Sequence, residues 1–149
     1  MVSIQRKNRW HCLRDALKRR QIKEILYLIL SREAVRPGWL HCALTENFVL
    51  QSLVPQFDAA PHYWSRLNPS YEVDFVIQRE NDIIPIEVKS DTNIKSRSLK
   101  KYAETFSAET KIRVRFSMNN LRMDDGVLNI PLFMVDQAER LIGIALKNY

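Results

Sequence analysis

The chain has 149 residues, 46% of them hydrophobic, and a formal net charge of +6. That length suits one domain whose core buries roughly 70% of the unfolded surface, and no second domain is needed. The longest apolar run, Ile25 to Leu30, is far too short to span a bilayer, and no signal-type apolar segment follows the N-terminal arginines, so a cytoplasmic protein away from membranes is expected.

The charge is concentrated at the start. Residues 1 to 41 hold ten Lys or Arg against three Asp or Glu, a balance of +7 that leaves −1 for the remainder. Leu13, Leu17, Ile22, Ile25, Leu26 and Ile29 recur at helical spacing, with Arg14, Lys18, Arg19 and Lys23 largely off that stripe. Residues 1–40 therefore read as a basic amphipathic helical arm, and residues 41–149 as a compact domain. The basic face fits phosphate binding and fits an ordinary solvated helix equally well. Two pairs, His11-Cys12 and His41-Cys42, invite a zinc reading, but adjacent helical residues point about 100° apart, whereas zinc ligands are spaced two to four residues apart. Free thiols packed as small core residues are the better expectation. Arg36-Pro37-Gly38 is expected to close the arm.

A helix is predicted from Ala43 to Val54. Glu46 shares its stripe with Val49, Leu50 and Leu53, so the carboxylate faces the protein body and needs a partner, either a metal ion or a salt bridge to Lys89 or an arginine. His62 to Arg66 reads as a first strand. The runs Val73 to Gln78 and Ile83 to Val88 are β-branched and aromatic, and Arg79, Glu80, Asn81 and Asp82 supply turn chemistry between them. With Glu80-Asn81 as a two-residue turn, paired residues sum to 161. Asp74 then lies across from Glu87, and Lys89 shares their face.

Two carboxylates about 5 Å apart repel by roughly 3 kcal/mol at an effective dielectric near 20. The nearly continuous apolar strands indicate a sheet covered on both faces, so a compensating cation is called for, either Mg²⁺ or Mn²⁺ with help from Lys89. The alternative is a solvated face with an ordinary Glu-Lys pair. Pro85 bears on the register, since proline is confined to edges, strand starts or bulges, and a bulge there would shift Asp74 off Glu87.

Downstream, Leu99, Tyr102, Ala103 and Phe106 mark a helix with a basic outer face of Arg97, Lys100 and Lys101. In residues 111–116 strict alternation sends Ile112, Val114 and Phe116 inward and Lys111, Arg113 and Arg115 outward. After an Asp125-Gly126 turn, a strand is predicted over Val127 to Val135 and a helix over Gln137 to Lys147. Helix, three strands, helix, strand is the order of an α/β sheet with helices on both faces.

A helix glutamate, a strand aspartate and an E-x-K on the next strand resemble the PD-(D/E)XK phosphodiesterase superfamily. More specifically, ENFVLQSL at 46–53, EVDFVI at 72–77, IPIEVKS at 84–90, SLKKYAE at 98–104 and LNIPLFMV at 128–135 look like the domain of unknown function DUF4143, over about Ala43 to Val135. That domain usually forms the C-terminal part of AAA-type ATPases. The resemblance implies a restriction-endonuclease-like mixed sheet flanked by helices. It matches Glu46, Asp74, Glu87 and Lys89 to the motif positions, although Val73 stands where the motif's proline would be. The chain departs from the family pattern in lacking the glycine-rich stretch before the Glu helix. No G-x-x-x-x-G-K-[ST] occurs, so no P-loop ATP site is expected in this chain. It is then an excised C-terminal piece, or acts alone, as a homo-oligomer, or with a separately encoded AAA-type ATPase.

The resemblance further implies a Mg²⁺-dependent nuclease in which Asp74, Glu87, the Val88 carbonyl and Glu46 serve the metal and Lys89 the reacting phosphate. Lys95, Arg97, Lys100 and Lys101 would grip the nucleic-acid backbone, with DNA favoured by family analogy. The competing expectation is an inactive module with the same fold, used for nucleic-acid docking, oligomerisation or control of an ATPase. A pure protein-interaction domain would instead show an exposed apolar patch, for which Trp10, Trp39 and Trp64 are candidates.

Overall fold

The computed structural model describes residues 37–67, 70–90 and 96–148. The basic arm up to residue 36, with Trp10 and His11-Cys12, lies outside the described residues, as do Lys95 and the side chains of Trp39 and His41. The elements are α1 (Pro37–Leu53), a 3-10 turn (Val54–Gln56), β1 (His62–Arg66), β2 (Tyr71–Arg79), β3 (Asp82–Val88), α2 (Arg97–Thr105), β4 (Arg113–Ser117), β5 (Arg122–Asp124), β6 (Val127–Pro131), a 3-10 helix (Leu132–Gln137) and α3 (Ala138–Lys147). The strands form one mixed sheet in the order β1-β2-β3-β4-β6-β5, an α/β architecture. β2 pairs antiparallel with both β1 and β3, while β3, β4 and β6 run parallel.

The hairpin follows the expected register. Arg79 pairs with Asp82 and the ladder continues to Phe75 with Ile86, each pair summing to 161. Glu80 makes the turn at φ 53°, a left-handed conformation that costs a non-glycine residue about 1 kcal/mol. Pro85 sits in the ladder opposite Val76 without a register shift. Its neighbours of the same parity direct their N–H groups toward the β4 side, Ile83 to Glu109 O at 3.4 Å and Lys89 to Phe116 O at 2.8 Å. Pairing with β4 begins only at Ile86, so the donor that Pro85 lacks would face chain ahead of that strand. The irregularity lies elsewhere: between His62↔Val76 and Trp64↔Val73, β2 carries one more residue than β1, a bulge beside Asp74.

One sheet face carries the main core. Phe75, Ile77, Ile84, Ile86, Val114, Phe116 and Ile130 pack there under Val49 and Leu53 of α1 and Ile142 of α3. The other face is partly covered by α2, whose Leu99 and Tyr102 meet Val73 and the edges of Trp64, Val76 and Val127. Trp64 stacks edge-on to Tyr102 at 5.2 Å and Phe106 at 6.2 Å, which makes it a packing residue. Burial, and then Glu109, raise the Tyr102 pKa above 10.0. A raised folded-state value means that the contribution of neutral Tyr102 is complete below the unfolded value and is lost as pH climbs through the folded one. Tyr102→Phe should therefore lose less stability than wild type between about pH 9 and pH 11 in urea unfolding; equal losses would contradict this.

Three expectations are corrected. The Glu46 helix starts at Pro37, six residues before the predicted Ala43, because a first-turn proline forfeits no intrahelical bond, while the expected closure of the arm lies outside the described residues. The last strand stops at Pro131, and Leu132 to Gln137 turn as 3-10 helix. Cys42 is exposed rather than core, its Sγ lying 3.2 Å from Ser90 Oγ just past β3. The Asp125-Gly126 turn does form, at φ 47° and 68°, and it joins β6 to a short edge strand, β5, that sequence patterning missed.

Candidate functional site

The site lies where β2 and β3 part company. The β2–β3 ladder ends at Phe75 and Ile86, one step short of Asp74 and Glu87. There the Val88 N–H donates to Asp74 Oδ2 at 2.8 Å, so a side-chain oxygen stands in for the next ladder carbonyl. The carboxylate is thereby fixed at the strand end, against the backbone of the residue that follows Glu87.

Glu87 points to the α2 face and is 5% exposed. A carboxylate buried that deeply needs compensation. It receives it from Lys89, whose Nζ is 3.0 Å from Oε1, and from Ser96, which donates to Oε2. Ser96 in turn accepts from Arg115 Nε at 3.0 Å. Arg115 is the β4 residue beside Glu87 and continues to Asn129 on β6, giving a polar row across the parallel strands. It is 8% exposed, which overturns its expected outward position. Alternation assigned its face correctly, but that face is enclosed here by the start of α2 and the chain after β4. Burial pulls the Arg115 pKa below its ordinary value, while the Glu87 charge acts in the opposite sense.

Lys89 is about one-third exposed, so its ammonium can swing to water and release Glu87 Oε1. Glu46 is half-buried on α1 and has an interaction of its own, as its stripe position required. Its helix, however, packs on the core face, opposite the one that Glu87 and Lys89 share. Among the expected backbone-gripping residues, Arg97 and Lys100 are exposed on α2, and Lys101 pairs with Glu104 at 3.1 Å. Ser96 and Arg115 were missed. Ser96 carried no signal, because its role depends on the path of the crossover from β3; Arg115 carried one, since its strand partner is the motif glutamate.

Among the described residues no three His, Cys, Asp or Glu side chains gather into a cluster able to hold a metal. A pair of carboxylates does suit Mg²⁺, which keeps several waters and takes one or two carboxylates together with substrate phosphate oxygens. No helix among the described residues is long and apolar enough to cross a membrane. No curated protein and no solved structure matches the chain. The model of a domain of unknown function, DUF4143, matches residues 42–135. That span runs from the first turns of α1 past β6 and includes both acids and every group that compensates Glu87, so the chain belongs to the DUF4143 family and its acid pair is part of the family domain.

Proposed function

We propose that this domain is a PD-(D/E)XK-type phosphodiesterase acting on nucleic acid with Mg²⁺ or Mn²⁺. The observation that supports the reading is the placement of Asp74, Glu87 and Lys89 at the end of one hairpin in a mixed α/β sheet, with Lys89 paired to Glu87 and Asp74 bonded to the Val88 N–H. Asp74, Glu87 and the Val88 carbonyl would hold the ion. When bound, it supplies Lewis acidity toward the phosphate and a water of lowered pKa. Asp74 is already oriented by the Val88 N–H. Lys89, once released from Glu87, would place its ammonium against the non-bridging phosphate oxygens, where negative charge builds. Ser96, braced by Arg115, would keep Glu87 aimed. Glu46 would act only through water, from across the strand end. DNA as substrate and an ATPase partner remain family analogy.

One observation favours the inactive alternative. Both Glu87 oxygens are engaged by protein groups, so the fold satisfies its acid without an ion. Incubating the protein with labelled single- and double-stranded DNA in Mn²⁺, with EDTA as control, separates the two readings. The proposal expects cleavage that EDTA abolishes. Intact substrate over long incubation, with the protein folded and the nucleic acid bound, would favour the docking module.

A further inference from the structure

Beside the acid pair, on the α2 face of the sheet, a cleft of about 690 Å³ opens between α2 and the hairpin of β5 and β6. Its floor is the polar row itself, Arg115 and Asn129, and its walls include Lys100, Arg113, Asn119 and Arg122. Four basic and two acidic side chains line it, the acids being Asp124 and Asp125, for a net +2. Both acids are well exposed, at 64% and 96%, and their pairings with Arg122 and Arg113 are surface ion pairs that a ligand can displace at little cost.

Arg115 is the residue that makes this more than a charged surface. Among the described residues its guanidinium has one hydrogen-bond partner, Ser96 Oγ on Nε. Its two terminal amino groups are nevertheless not sealed in, because Thr110 Oγ1 is the one buried side-chain polar atom among the described residues without a partner. Arg115 itself is part of the cleft lining. A guanidinium held by its Nε and presenting its remaining N–H groups is a preorganised fork for a tetrahedral or planar oxyanion. The surplus positive charge suits a polyanion such as a nucleic-acid strand, with one negative charge at each backbone phosphate, over a lone carboxylate. No aromatic side chain lines the cleft, so it offers nothing for a base to stack on.

We propose that this cleft grips a backbone phosphate of a nucleic-acid strand through Arg115, Lys100 and Arg122, without reading sequence. Through Ser96, the same arginine ties the gripped phosphate to Glu87, which sets the neighbouring phosphodiester at the acid pair. This deepens the phosphodiesterase reading and rests on it for the identity of the strand, but its residues are separate from the metal-holding acids. The groups named differ from the set expected from sequence, sharing only Lys100.

The test is fluorescence anisotropy of a short labelled single strand in EDTA, with wild type, the Lys100→Ala/Arg122→Ala double variant and Asp74→Asn. Both cleft residues replaced are exposed, so the double variant should fold; a thermal melt checks this. The proposal expects binding weakened at least roughly tenfold in the double variant, with the slope of log affinity against log salt reduced by up to roughly 0.7, the value for one phosphate, and no weakening in Asp74→Asn. A double variant that binds like wild type, or a wild type that does not bind, overturns it. Displacement of the strand by inorganic phosphate well beyond chloride at matched ionic strength would assign the cleft to a free phosphate instead and overturn the nucleic-acid occupant. Strand binding lost in the double variant of a protein that cleaves nothing would sink the phosphodiesterase reading alone. Cleavage undiminished in the double variant would sink the cleft alone.

Discussion

Asp74→Asn is expected to reduce metal-dependent cleavage by roughly 100-fold or more while leaving stability within about 1 kcal/mol of wild type. The two halves of that result have different causes. An asparagine oxygen still accepts the Val88 N–H, so the end of the hairpin stays closed, with a neutral hydrogen bond in place of a charge-assisted one. The lost charge, by contrast, removes one of the two carboxylates that the described residues offer an ion at the strand end. Asp74→Ala separates the effects, because it also strands a buried donor and should cost about 1–3 kcal/mol. Equal cleavage by wild type and Asp74→Asn would remove Asp74 from the chemistry.

Glu87→Ala should destabilise the fold by about 3 kcal/mol in urea unfolding, while Lys89→Met changes it by about 1 kcal/mol or less. Glu87 and Arg115 are both nearly fully buried, so deleting the acid leaves a buried cation facing Ser96, with the exposed Asp124 as its weaker remaining counter-charge. Lys89 is partly in water and loses little when its partner is exchanged. The contrast also weighs the two forces on Glu87. If repulsion from Asp74 dominated, Glu87→Ala would be neutral or stabilising, and the compensation assigned to Lys89, Ser96 and Arg115 would be wrong.

The hairpin was legible because a two-residue turn and a period of two leave no freedom: once Glu80-Asn81 is the turn, every partner follows, and Pro85 fits because its missing donor faces no strand. The apolar stripe of α2 was legible for the same kind of reason. What escaped depends on neighbours remote in sequence. Alternation in residues 111–116 tells which side Arg115 occupies, but not that α2 begins over it. Ser96 gains its place between Glu87 and Arg115 only from the path of the crossover. The edge strand Arg122–Asp124 is three exposed residues held by pairing with β6, with no pattern of its own. Pro37 misled because proline stops a helix from within yet opens one from its first turn.

Calorimetric titration of Mn²⁺ into wild type and Asp74→Asn tests the central claim most directly. A catalytic carboxylate pair at the end of β3 predicts one saturable site in wild type that is lost or weakened at least roughly tenfold in the variant. Saturable binding of equal strength in both would place the ion elsewhere. No binding to folded wild type, alone or with an uncleaved strand present, would contradict the metal-dependent site and leave the domain a nucleic-acid docking module.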